Sequence, residues 1–94
     1  MEIIKVGIAG TLESSDISIT LEPNDNNGIE ISLKSSVEKQ YGEQILEVIK
    51  NTLKELGVSD ALVTANDKGA LDCVIKSRVQ TAAYRAADSQ NYKW

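Results

Sequence analysis

Histidine is absent from the 94 residues, phenylalanine is absent too, and cysteine and proline occur once each. Without histidine the chain holds no Ser-His or Cys-His nucleophile pair. A single thiol, Cys73, neither closes an internal disulfide nor completes a zinc set, and an unpaired thiol fits a reducing compartment. No apolar run reaches the ~18 residues that suggest a membrane span, and no basic segment leads into a hydrophobic stretch of the secretory kind. Cytoplasm is therefore the expected address. Clustered cations are missing as well: ten Lys and Arg are scattered among fourteen Asp and Glu, for a formal net charge of −4. A nucleic-acid surface needs basic clusters to neutralise phosphates, so neither nucleic acid nor membrane is an expected partner. A chain of this length makes one domain with a modest core, too small to enclose a deep two-substrate active site by itself. A helper role follows more naturally than a complete enzyme.

What is present is clear periodicity. Ile4, Val6 and Ile8 alternate with Lys5 and Gly7 as a short strand that runs into Gly10. Ile17, Ile19 and Leu21 alternate with polar neighbours, and Ile29, Ile31 and Leu33 do the same, giving two half-buried strands. The turn-rich Pro23-Asn24-Asp25-Asn26-Asn27-Gly28 between them reads as a wide hairpin connection. The period then changes. Val37, Tyr41, Ile45, Val48, Ile49, Leu53 and Leu56 recur at spacings of three and four, the face of an amphipathic helix with Tyr41 in the core. Ser35 and Glu38 have the spacing of a capping box, and Gly57 stands where a helix can end. Glu38, Glu43, Glu47 and Glu55 form its acidic surface, ordinarily a solvated face and otherwise a docking patch for a basic partner.

Ala61 to Asn66 reads as a strand, and Asp67-Lys68-Gly69 as the turn that leads into a helix. From Leu71 onward a strand is conceivable, but Leu71, Val74, Ile75, Val79, Ala82 and Ala83 fit a helical stripe better, with Arg85 near its negative end and Cys73 as a small core residue. The expected fold is a two-layer α+β domain of order βββαβα over residues 1–87, with a mostly antiparallel four-stranded sheet and two helices on one face. Residues 88–94, with Tyr92 and Trp94, form a polar tail.

Between the first two strands lies Gly10-Thr11-Leu12-Glu13-Ser14-Ser15-Asp16, where two hydroxyls sit between two carboxylates in a loop-forming context. Ser14 and Ser15 are both candidates for modification by another enzyme. Glu13 and Asp16 are close enough in sequence to raise an acid/base pair, but nothing else converges on them, and exposed carboxylates with a local turn contact from Asp16 are the simpler reading.

The run from Ala9 to Asp16 closely resembles the modification motif of the citrate lyase acyl carrier, or gamma, subunit family. Ser35-Ser36-Val37-Glu38-Lys39-Gln40, followed by an aromatic residue and Gly42, and Asp67-Lys68-Gly69-Ala70-Leu71-Asp72-Cys73 resemble two further stretches of that family, in order. The resemblance implies a non-catalytic carrier whose prosthetic group, 2'-(5''-phosphoribosyl)-3'-dephospho-CoA, is joined by a phosphodiester to Ser14. The family motif places the modified hydroxyl two residues before the aspartate that opens the strand. Similar proteins often have glycine at the next position, where this chain has Ser15. The implied partners are the citrate lyase alpha subunit, an acyl transferase, the beta subunit, an acyl lyase, and the transferase that installs the prosthetic group. The related carrier of malonate decarboxylase, or a non-enzymatic regulatory or scaffold domain, are the alternatives.

Overall fold

The computed structural model describes residues 1–87; the expected tail at 88–94 lies outside the described residues. Four strands and two helices follow in the order β1 (Gly7–Ala9), β2 (Ile17–Glu22), β3 (Ile29–Ser35), α1 (Glu38–Glu55), β4 (Ala61–Asp67) and α2 (Asp72–Ala87). The order βββαβα and the two-layer α+β class are those the sequence predicts.

The sheet order is β1-β2-β4-β3, with β1–β2 and β2–β4 antiparallel and β3–β4 parallel. The expected hairpin at 23–28 therefore does not form, because β4 lies between the two strands that this loop connects. The loop instead carries the chain across the start of β4, where the Gly28 N–H donates to Asp60 at 2.8 Å and the Ala61 N–H to the Gly28 carbonyl at 3.0 Å. Parallel neighbours need a crossover, and α1 supplies it between β3 and β4.

Alternation in β2 and β4 buries Ile17, Ile19, Leu21, Ala61, Val63 and Ala65 on one face. Ile45, Ile49 and Leu53 of α1 and Ile75, Val79, Ala82 and Ala83 of α2 complete that core. α2 lies over β1 and β2, α1 over β3, and the helices pack on each other.

In β1 the expected facing is inverted. Ile4, Val6 and Ile8 are each about half exposed, while Ile3, Gly7 and Ala9 are buried. Close approach to α2 is the reason: a methyl group on Gly7 would collide with the Ala82 carbonyl oxygen and Ala86, so only the small residues of β1 fit beneath that alanine stripe.

α1 ends in a Schellman arrangement, with the Val58 N–H on the Leu53 carbonyl at 2.9 Å, the Gly57 N–H on Lys54 at 3.0 Å, and Gly57 at φ +74°. Its start differs from expectation. Val37 is the N-cap without a side-chain cap hydrogen bond, and Ser35 closes β3 instead. The Ser35 hydroxyl accepts from the Val37 N–H at 3.1 Å and donates to Asp67 at 2.8 Å, so a tertiary partner has taken the group a capping box would use. Tyr41 is exposed rather than core, and so are Leu71 and Cys73, which line a cleft between the starts of α1 and α2. Among the acidic residues of α1, Glu43, Glu47 and Glu55 are exposed, and Glu55 pairs with Lys76 at 3.2 Å.

Candidate functional site

Ile17, which opens β2, pairs with Asp67 at the end of β4, and Asp67 pairs with Ser35 at the end of β3. One end of the sheet thus gathers all three stretches singled out in the sequence. The Asp67 side chain is buried and accepts from the Ser35 hydroxyl and from the N–H groups of Gly69 and Ala70, at 2.8, 3.1 and 3.0 Å, so it shapes the turn into α2.

The loop 10–16 is folded tightly against this end. Gly10 has φ +90°, and a side chain there would strike the Ile17 carbonyl, so the chain reverses where only glycine fits. Glu13 to Asp16 form a turn closed by the Asp16 N–H on the Glu13 carbonyl at 3.2 Å, with Ser14 and Ser15 at its centre. Ser15 has φ +64°, the left-handed position of a type II turn that favours glycine. The Ser15 N–H donates to the Lys68 carbonyl at 2.8 Å, and the Lys68 N–H to the Asp16 carbonyl at 2.9 Å, which moors the turn to the continuation of β4. Ser14 sits at the tip. It is exposed, and its hydroxyl makes no hydrogen bond among the described residues.

Asp16 braces the loop from below. Its carboxylate receives Arg78 Nε at 3.0 Å and Nη2 at 2.9 Å in a bidentate pair, Thr11 Oγ1 at 2.8 Å and its neighbour Ile17 N–H at 2.7 Å. Thr11 Oγ1 accepts in turn from the Glu13 N–H at 3.2 Å. The Arg78 guanidinium, helped by Thr11 and the Ile17 amide and opposed by burial, holds the Asp16 carboxyl well below the usual carboxylate range, and Asp16 raises Arg78 in return. The simple reading of Asp16 as an exposed carboxylate is therefore corrected: it is a buried structural anchor. Glu13 is exposed as expected.

The arrangement presents a hydroxyl but does not activate it. Asp16 is engaged by four donors, and no other described group reaches Ser14 as a base. Among the described residues no group of three metal-ligating side chains exists, and no helix is long and apolar enough to cross a membrane. Arg78 is the residue that sequence reasoning missed. An arginine set between Ile75 and Val79 of the apolar stripe was the available signal, but nothing local ties it to an aspartate 62 positions away.

Comparison with known proteins shows the family. Over all of its length the chain is 56% identical to a citrate lyase acyl carrier protein of Streptococcus mutans, covering 92% of that protein. The chain belongs to the citrate lyase acyl carrier protein family. Relatives of the same name in Vibrio cholerae and Lacticaseibacillus casei are 54% and 56% identical over the whole chain, which covers 96% and 92% of them. Residues 4–86 match the family described as "ACP: Malonate decarboxylase delta subunit (MdcD)". A chain in the crystal structure of a Pseudomonas malonate decarboxylase hetero-tetramer in complex with malonate shares the fold. Its TM-score is 0.67 at 19% identity, over 87% of this chain and 88% of that one. Membership makes the protein an acyl carrier, a carrier rather than a catalytic subunit.

Proposed function

We propose that the protein is the acyl carrier subunit of citrate lyase and holds acetyl and citryl thioesters on a 2'-(5''-phosphoribosyl)-3'-dephospho-CoA arm attached through a phosphodiester to Ser14. The observation that carries this reading is the position of Ser14 at the apex of a braced turn, exposed, beside a neighbour whose backbone is committed to Lys68. The residues fit such a group: an exposed hydroxyl with no internal partner can enter the active site of a loading transferase, and a moored turn holds the anchor at a fixed place. When bound, the arm supplies the thiol that carries the acyl group.

The chain's own part is positional. Asp16, Arg78 and Thr11 keep the turn in one conformation, and the transferase supplies the base that takes the Ser14 proton. Tethering makes each later encounter with the alpha and beta subunits intramolecular, at effective concentrations on the order of millimolar. In this reading the alpha subunit would act on the carried acyl group as an acyl transferase and the beta subunit as an acyl lyase. A carrier role in malonate decarboxylase is the second reading, favoured by the family description; identities of 54–56% to citrate lyase carriers favour the first.

Intact mass after co-expression with the loading enzyme tests the assignment. The expected result is an adduct of several hundred daltons mapping to Ser14, abolished by Ser14→Ala in a protein that still folds, and retained in Ser15→Ala. Loss of the adduct in a folded Ser15→Ala variant would move the anchor by one residue.

A further inference from the structure

Between the starts of α1 and α2 lies a cleft of about 540 Å³, at the same end of the sheet as the Ser14 turn. Its walls are mainly apolar, from Val37, Tyr41 and Ile45 on one side and Ala70, Leu71 and Cys73 on the other. Tyr41 and Leu71 are 51% and 70% exposed, so both present apolar surface to the cleft. Two of the three stretches that mark the chain build this cleft, and the third is the anchor turn. The connection between them is covalent and short: Gly69, at the cleft wall, follows Lys68, whose backbone is bonded to Ser15 and Asp16.

We propose that this cleft binds the adenosine part of the arm, which rests on the reading of Ser14 as the attachment point. In that arm the phosphoribosyl group links the serine to the adenosine, and the pantetheine thiol lies beyond it, so the base is the portion held close to the turn. A purine has an apolar, polarisable face and a polar edge. Tyr41 and Leu71 offer surfaces for the face, as exposed aromatic side chains do for nucleobases in general. The edge meets Gln44, whose Nε2 donates to both oxygens of Asp72 at 3.0 and 3.1 Å and whose amide oxygen faces no donor among the described residues. That oxygen is an acceptor for an exocyclic amine. The volume lies within the range of small-molecule pockets, and at an effective concentration on the order of 1 mM tethering fills a site with a Kd of about 0.25 mM to roughly four-fifths. Gripping the near part of the arm shortens the swinging part and leaves the thiol free.

Cys73 reports on the cleft, since its thiol is exposed there. The experiment measures alkylation of Cys73 by N-ethylmaleimide, quantified on its peptide, in apo protein and in holo protein with the arm acetylated so that its own thiol is blocked. The expected result is alkylation about fivefold slower in the holo form, as occupancy of the cleft requires. In the holo form of Tyr41→Ala or Leu71→Ser, both exposed positions, the rate returns to that of the apo protein. Equal rates in apo and holo protein overturn the proposal, as does protection that persists in both variants. Protection that arises only when the alpha or beta subunit is added also overturns it, and assigns the cleft to a protein partner. The intact mass of the same holo sample separates the two levels: an adduct on Ser14 without protection leaves the carrier reading standing and removes the adenosine site, whereas no adduct removes both.

Discussion

Two polar loops of similar composition connect the early strands, and they differ in how they are tied down. The loop 23–28 carries Pro23, three asparagines and Gly28, with Asp25 and Asn26 at positive φ. It is pinned by single part-buried hydrogen bonds, Asn24 Nδ2 on the Gly28 carbonyl at 3.0 Å and the Gly28 N–H on the Asp60 carboxylate at 2.8 Å. The loop 10–16 has the same turn-forming character, yet it is clamped from beneath by the bidentate Asp16–Arg78 pair and laterally by Ser15 and Lys68. Both loops connect strands; only the second holds an exposed hydroxyl on a clamped turn at the end of the sheet. Turn composition is common to both, and bracing is what distinguishes the loop proposed as the attachment point from the other.

The contrast is testable at its glycines, where the largest effect is expected. Gly10→Ala places a methyl against the Ile17 carbonyl at φ +90°, and Gly28→Ala at φ +77° meets nothing within 4 Å. Gly10→Ala should cost at least about 3 kcal/mol, against about 1 kcal/mol for Gly28→Ala, which pays only the left-handed penalty. Urea unfolding of the two variants measures this, and equal losses would erase the distinction between the loops.

Asp16→Asn comes next, at about 2 kcal/mol, since it leaves Arg78 without its charged partner while the arginine retains access to water; its side chain is 38% exposed. The same variant has a pH signature. The folded Asp16 pKa is depressed, so its contribution is fully present above the unfolded value of about 3.9 and is lost as pH falls below it toward the folded value. Stability measured from pH 6 down to pH 2, a range of about four units, should fall less steeply below about pH 4 in Asp16→Asn than in the wild type. Identical slopes would show that the pair does not brace the loop.

The smallest effect is expected at Ser15→Gly. Removing the side chain relieves the left-handed strain at φ +64°, offset in part by the greater freedom of glycine in the unfolded chain. A gain of about 0.5 kcal/mol remains, or roughly 3 °C in Tm. Loading at Ser14 should be unchanged, and a loss of stability would mean that Ser15 does more than fill a turn position.

The sequence announced the loop at 10–16 and both serines, because glycine, hydroxyls and acids in one short run are a local signal. It could not announce Arg78, whose role depends on an aspartate far along the chain. The same limit explains Cys73 and Tyr41. Tyr41 lies in the apolar stripe of α1 and Cys73 beside that of α2, and only the assembly of the two helices on the sheet leaves them at a cleft rather than in the core.

Local periodicity determined which segments became strands and helices, down to the Gly57 stop, because backbone geometry repeats every two or 3.6 residues and side-chain burial must follow it. The absence of histidine likewise left the chain with no imidazole base to activate its own serine. Strand order was another matter. The insertion of β4 between β2 and β3, the outward turn of Ile4, Val6 and Ile8, and the meeting of Asp16 with Arg78 all pair residues remote in sequence. Such pairings are chosen by which packing buries the most apolar surface without collision, a property of the assembled layers that no short window of sequence contains.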